Sequence, residues 1–186
     1  MPILSSETLA LCARLVAEWI DGVIRPKFDK SFSGAASAQS LSIEYLMRGA
    51  FAFVADLIRT IDLPCTVDFW RLSSCGTDTK SSQSVRELMS PTVRLRDRHV
   101  ILVDDIVDSG RTLTHALHRL AEHSPLSITV VALLQNEASL VAVDHVGFIS
   151  GKDFVVGYGL DIAYELRGLP ALYYLENSRA QESLAL

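Results

Sequence analysis

The stretch "HVILVDDIVDSGRTLTHAL", residues 99–117, restricts the choice of fold more than any other part of the chain. Its first half is an unbroken apolar run bounded by a turn, the pattern of a strand buried on both faces. Leu113, Ala116, Leu117 and Leu120 then recur at helical spacing. A doubly buried strand that leads through a tight turn into a helix is one half of a β-α-β unit. Further apolar or β-rich runs lie at 43–47, 66–72, 127–134, 145–150, 153–158 and 171–175, and helical patterns at 5–20 and 50–61. Strands alternating with helices predict an α/β domain with a mainly parallel sheet. No internal repeat is visible. A polar stretch, "RPKFDKSFSGAASAQS", predicts a loop from residue 25, and residues 74–90 begin with no regular apolar period, which predicts a second, long loop. Loops of that length in a compact domain are usually functional.

The same stretch poses a chemical problem. Asp104, Asp105 and Asp108 stand at the end of the buried run, where a carboxylate costs free energy unless it is paired or coordinated. Helix capping would account for one acid, not three. In a doubly wound sheet, ligands sit beyond the carboxyl ends of the strands, and Asp104 and Asp105 fall at such an end. Ser109-Gly110-Arg111-Thr112 follows, with hydroxyls, a glycine that admits close backbone approach, and the free amides of a helix start, which attract an anion. Adjacent carboxylates suit the vicinal hydroxyls of a ribose or a bound Mg²⁺. The ligand read from this pattern is a sugar phosphate. Neither Gly-x-x-x-x-Gly-Lys-Ser/Thr nor Gly-x-Gly-x-x-Gly is present in the turn, which excludes the two commonest nucleotide loops there.

Composition narrows the surroundings. The chain of 186 residues suits one domain, and 49% hydrophobic residues suffice for a sizeable core. A net charge of −5 argues against a nucleic-acid or anionic-membrane surface. Cys12, Cys65 and Cys75 lack metal-finger or Cys-x-x-Cys spacing and read as free thiols of a reducing compartment. No signal peptide is apparent, and no run reaches the roughly 18–20 apolar residues of a membrane helix, so a cytoplasmic protein is expected. His115 and His118 stand three apart on the predicted helix, but with no third ligand in sight they read as a solvated face. Arg94, Arg96 and Arg98 alternate with Val93, Leu95 and Asp97 and read as a surface run.

"VILVDDIVDSGRTL" resembles the phosphoribosyl pyrophosphate motif of type I phosphoribosyltransferases. Within that superfamily, "LMRGAFAFVADL" (46–57), "VDFWRLSSCGTDTKSS" (67–82) and "DFVVGYGLDIAYELRGLP" (153–170) resemble the hypoxanthine–guanine phosphoribosyltransferases. The resemblance implies one domain over 1–186. Its core would span about 43–160, with a small hood from parts of 1–20 and 145–186 and a flexible lid at 74–90. It implies Mg²⁺-dependent transfer of phosphoribose from phosphoribosyl pyrophosphate to a 6-oxopurine, with pyrophosphate leaving, by a homo-oligomer (dimer or tetramer). Asp104 and Asp105 would hold the ribose hydroxyls and metal, and Asp108 would manage the purine proton. Ser109, Gly110, Arg111 and Thr112 would take the 5′-phosphate, while Arg48, Gly49, Ser74 and Arg167 would complete the phosphoribosyl pyrophosphate site. Phe154 would stack on the purine, the Val155 backbone would read its edge, and Asp161 would stand near a second metal.

Three departures from the family pattern stand out. The usual lysine that donates to the purine 6-oxo group is absent; "ALLQNEASL" puts Asn136 at the expected position, an uncharged donor that can also accept. The usual Ser-Tyr of the lid is Ser74-Cys75, and Met47-Arg48-Gly49 has Arg where Lys is usual, in a loop that often carries a non-proline cis peptide. Two other readings therefore stand beside the leading one. One is an enzyme of the same fold acting on a different base. The other is a non-catalytic ligand sensor or RNA-binding regulator, which the acidic net charge and the purine-type C-terminal segment disfavour.

Overall fold

The computed structural model describes residues 2–28, 41–74, 85–151 and 153–175. Six strands form the main sheet: β1 (Leu41–Leu46), β2 (Thr66–Ser74), β3 (Val85–Met89), β4 (His99–Val107), β5 (Ser127–Asn136) and β6 (His145–Ser150). Their order is β3-β2-β1-β4-β5-β6, and every pairing is parallel except the antiparallel β2·β3. Helices α1 (Ser6–Phe28) and α2 (Phe51–Ile58) cover one face and α3 (Arg111–Glu122) the other. A small antiparallel pair, β7 (Val155–Val156) with β8 (Tyr173–Tyr174), lies outside the main sheet. The strand order reverses between β1 and β4, so the loops after these two strands diverge and leave a crevice between them.

The sequence pattern explains the layering. On β4, Ile101 and Val103 join the core under α1 and α2, while Val100 and Leu102 join the core under α3. An unbroken apolar run is thus what a central strand requires, because both of its faces are covered. Buried Phe53, Val54 and Leu57 fasten α2, each contributing about 1.5–3 kcal/mol by leaving water. Near the two ends of the described chain, Leu4 bridges Leu172, with the Ile3 amide donating to the Leu172 carbonyl at 2.8 Å.

Several expected boundaries moved. The first helix does not end before a loop at 25 but continues past Pro26 to Phe28. There the proline removes one N–H without ending the helix, since only the last turn follows it. The second helix closes at Ile58 rather than 61, where the Thr60 and Ile61 amides both donate to the Leu57 carbonyl. The strand expected over 153–158 shrinks to Val155–Val156, because Gly157 and Gly159 take φ of 99° and 100° and turn the backbone away. The expected loop at 74–90 contains β3, whose pairing with β2 is a long-range contact that no local period announces. Glu87 on that strand is held by Arg119 of α3 at 3.1 Å. Residues 75–84, which include Cys75 and most of the expected lid, lie outside the described residues, as does the Ser74 side chain.

One buried acid belongs to the fold rather than to the crevice. Glu44 on β1 is fully buried and accepts a hydrogen bond from Ser42 Oγ at 2.7 Å, and its Oε2 has no partner among the described residues. Burial pushes its carboxyl up to about 7, repulsion from Asp68 adds to this, and the Ser42 bond and Arg98 oppose it. The folded chain therefore keeps this proton up to about pH 7, whereas an unfolded chain releases it near the ordinary value of 4.5. Stability from this group is complete below pH 4.5 and is lost as pH rises to about 7, by about 3 kcal/mol. Glu44→Gln should remove that part of the slope. Urea unfolding of both proteins at pH 4.5 and pH 8 measures it, and parallel slopes would show that Glu44 does not hold the proton.

Candidate active site

Three clefts meet where β4 ends. The first, about 350 Å³, is lined by Arg48, Gly49, Asp104, Asp105, Asp161 and Arg167 among others. The second, also about 350 Å³, is formed by Asp104 and the turn from Asp108 through Leu113. The third, about 380 Å³, is lined by Asp105, Asp108, Asn136, Phe154, Val155 and Asp161 among others. Half-buried Ile106 lines all three. A ligand with three arms joined at one centre fits this layout.

The centre is acidic. Asp104 is buried and Asp105 half-buried, and the Asp105 amide donates to Asp104 Oδ1 at 3.0 Å. Burial drives the Asp104 carboxyl well above the usual range, and the neighbouring Asp105 charge drives it further. Burial raises Asp105 as well, against its bond to Asp104, hydrogen bonds from the backbone and the pull of Arg167. Two carboxyls that resist ionisation side by side want a cation or hydroxyl donors between them.

The second cleft is a helix start. Gly110 is the N-cap of α3 with φ 73°, and among the described residues no side chain caps the helix, so Asp108 and Ser109 are not spent on capping. A Cβ at Gly110 would stand 2.1 Å from Val141 Cγ2, so both the conformation and the space require glycine. The first amides of α3 have no helical partner and point outward, where an anion meets them and the positive end of the helix dipole. Ser109 and Arg111 are exposed and Thr112 half-buried along this cleft.

The first cleft holds the cations. The Met47–Arg48 peptide is cis. A Cβ at Gly49 would lie 1.4 Å from Asp105 Oδ2, so glycine is what lets the loop after β1 close on the acid pair. Arg167 Nη2 pairs with Asp161 Oδ1 at 2.5 Å, and its Nη1 donates to the Gly159 carbonyl at 2.6 Å. Asp161 lines two of the clefts but is committed to Arg167 and to the Tyr164 amide, which donates to Oδ2 at 2.8 Å. The third cleft offers an apolar plane: Phe154 is 45% exposed at its mouth, above buried Val155. Asn136 Nδ2 donates to Asp108 Oδ1 at 3.0 Å, and its Oδ1 accepts from the Ala138 amide at 2.9 Å. One amide proton of Asn136 is thus held by Asp108, and the other is left for a ligand.

A phosphoribosyl transferase domain model matches residues 46–163, a span that takes in all three clefts except Arg167. The hypoxanthine-guanine phosphoribosyltransferase of Dictyostelium discoideum is 36% identical over 141 residues, covering 73% of this chain and 78% of the relative. The chain belongs to this family. The hypoxanthine-guanine phosphoribosyltransferase of Mycobacterium avium is 39% identical over 140 residues, covering 74% of this chain and 69% of the relative. A solved variant of Trypanosoma cruzi hypoxanthine phosphoribosyltransferase, complexed with the product IMP, superposes with a TM-score of 0.85. It is 29% identical and covers 97% of this chain and 93% of that one.

In this phosphoribosyltransferase the sequence reading missed several residues at the site. Ile106, where the clefts join, sits inside the quoted motif but is apolar and carries no chemical signal. Tyr158 donates to Asp56 Oδ2 at 2.6 Å and ties the segment after β7 to α2. The Tyr164 ring lies beneath Arg48, with Cζ 4.7 Å from the ring centre. No spacing rule links positions so far apart in sequence. His115 and His118 stay away from the site. His118 faces Glu122 at 3.6 Å, and among the described residues no group of three or more His, Cys, Asp or Glu gathers to hold a metal.

Proposed function

We propose that the chain catalyses the Mg²⁺-dependent transfer of phosphoribose from phosphoribosyl pyrophosphate to hypoxanthine and/or guanine, giving IMP or GMP and pyrophosphate in purine salvage. The observation that carries this reading is the junction at Ile106. An anion-binding helix start, a cation-lined cleft and an aromatic-edged cleft open around buried Asp104 and half-buried Asp105. In this reading the turn Ser109–Thr112 takes the 5′-phosphate, Arg48, Gly49 and Arg167 take the pyrophosphate, and Ser74 belongs to the same phosphoribosyl pyrophosphate site. Phe154 stacks on the purine, and the Val155 backbone and the free Asn136 proton read its edge.

The donor set suits Mg²⁺, which is usually held by one or two carboxylates with substrate phosphates and water completing its shell. Asp104 and Asp105 would hold it beside the ribose, and Asp161 would stand near a second ion once Arg167 turns to the pyrophosphate. Bound there, the ion supplies positive charge that steadies the departing pyrophosphate. The chain's own residues do the rest. Breaking the bond from C1 to pyrophosphate builds positive character on the ribose, whose hydroxyls the Asp104–Asp105 pair would hold in place. Arg48 and Arg167 meet the negative charge that gathers on the leaving group. Asp108 manages the purine proton beside N7 as the base nitrogen bonds to C1.

The exposed Val67 and Phe69, on the sheet face that carries α1 and α2, with exposed Phe51 and Ile58 of α2, leave apolar surface for a second copy. This supports a homo-oligomer, a dimer or tetramer. Free Cys12 and Cys65 fit a reducing cytoplasm, and no described helix is long and apolar enough to cross a membrane.

The test is a base panel assayed for pyrophosphate release with phosphoribosyl pyrophosphate and Mg²⁺. Hypoxanthine and guanine should turn over, and adenine and uracil should not. Turnover of adenine or a pyrimidine alone would replace this reading with that of an enzyme for a different base. The neutral, two-way amide of Asn136 is the feature that favours that second reading.

A further inference from the structure

Residues 161–167 contain a turn built against its own conformational preference. Ile162 and Glu165 bond to each other through both of their amides, at 3.3 and 2.9 Å, and form an isolated bridge. Between them Ala163 and Tyr164 take φ of 49° and 71°. Two central residues with positive φ make a turn of the type that strongly prefers Asn-Gly, where no Cβ opposes the left-handed conformation. Here neither residue is Asn or Gly, and the second is a bulky aromatic. Its amide is fixed by Asp161 Oδ2 at 2.8 Å, so the turn is held in place rather than loosely adopted. Strained backbone persists where the surroundings over-determine it, and it asks for a reason.

The side chain supplies one. Tyr164 is 72% exposed, so packing into a core does not explain it. Its ring lies under the Arg48 guanidinium, with Cζ 4.7 Å from the ring centre. Arg48 is exposed, and among the described residues it has no ion pair, whereas Arg167 has Asp161. A guanidinium can rest its face on an aromatic ring while all its N–H donors, which lie in its plane, stay free to grip phosphate oxygens. An ammonium has no such division between face and edge. The contact thus removes side-chain freedom from Arg48 without using up its hydrogen bonds.

We propose that Tyr164 is a positioning residue for pyrophosphate recognition: the strained turn presents its ring as the platform that aims Arg48 into the cation-lined cleft. This rests on the reading of Arg48 as a pyrophosphate ligand. The turn also ties the two cations into one unit, since Asp161 bonds both to the Tyr164 amide and to Arg167.

Steady-state kinetics of the full chain test this, with phosphoribosyl pyrophosphate varied at saturating base and Mg²⁺. Tyr164→Ala should raise KM for phosphoribosyl pyrophosphate about two- to fivefold, the range of an exposed cation–π contact, with kcat nearly unchanged. Tyr164→Phe keeps the ring and should restore the wild-type KM. In an Arg48→Ala background, Tyr164→Ala should add nothing. Tyr164→Gly relaxes the turn, so it should raise the thermal midpoint while carrying the KM loss of the alanine variant. If Arg48→Ala weakens phosphoribosyl pyrophosphate but Tyr164→Ala does not, the proposal fails and the functional reading stands. The proposal fails in the same way if the Tyr164→Ala penalty persists without Arg48, or if Tyr164→Gly lowers the midpoint. If Arg48→Ala leaves KM for phosphoribosyl pyrophosphate unchanged, the role of Arg48 falls and this proposal falls with it.

Discussion

Asp108→Asn should lower kcat by about 10²–10⁴, the usual worth of a general acid or base, and leave KM for phosphoribosyl pyrophosphate close to wild type. The substitution isolates the proton. Asp108 accepts from Asn136 Nδ2 at 3.0 Å, and an asparagine oxygen can accept the same bond. The helix that follows gains nothing from the carboxylate as a cap, because its N-cap is Gly110 and no side chain caps it. The side chain is exposed, so no core packing changes. Stopped-flow or steady-state assays with hypoxanthine and with guanine give kcat and KM separately. Full turnover in the variant would remove Asp108 from the chemistry. A collapse of phosphoribosyl pyrophosphate affinity with kcat preserved would mean that the acid belongs to the sugar-phosphate site and not to the base.

Gly159→Ala should be among the most damaging single-methyl additions in the chain. Gly159 has φ 100°, and an added Cβ would stand 2.1 Å from the Gly49 carbonyl oxygen. That oxygen belongs to the loop that closes on Asp105, where a Cβ on Gly49 would itself lie 1.4 Å from Oδ2. The clash is with backbone, which cannot swing aside as a side-chain tip can. Backbone strain and overpacking each cost about 1–3 kcal/mol, so a loss of about 3 kcal/mol is expected, together with weaker phosphoribosyl pyrophosphate binding. Gly22 is the control: it lies inside α1 with nothing within 4 Å of an added Cβ. Gly22→Ala should therefore stabilise the chain, by about 1 kcal/mol of helix propensity. Urea unfolding of the two variants measures both. Equal effects would show that the Gly49–Gly159 approach carries no constraint.

The Tyr158–Asp56 bond at 2.6 Å reinforces the same approach from outside. Together with the Gly49–Gly159 contact, it sets the segment after β7 against α2 and the loop after β1. The two cations of the first cleft come from these two segments, Arg48 from the loop and Arg167 from the stretch between β7 and β8. Their spacing is a property of the packing, not of either segment alone.

The apolar run of β4 and the stripe of α3 could be read directly because each depends on local rules. A strand covered on both faces must be apolar throughout, and a helix on one face must repeat its apolar residues every three to four positions. The acids at 104, 105 and 108 and the turn at 109–112 were legible for the same reason, being contiguous. Contiguity fails for the rest. β3 exists because β2 offers it an edge, and nothing in "VRELM" distinguishes a paired strand from a loop. Asn136 lines the cleft of Phe154 and Val155, and its placement one strand over from Asp108, which gives one of its protons to that carboxylate, has no local signal. The Arg48–Tyr164 contact and the meeting of three clefts at Ile106 join segments from both sides of the crevice. Local sequence fixes which groups each strand end presents, because conformational preference and burial act over a few residues. Which groups face one another across the crevice is fixed only when the sheet order and the β7–β8 segment bring distant parts of the chain to within a few ångströms.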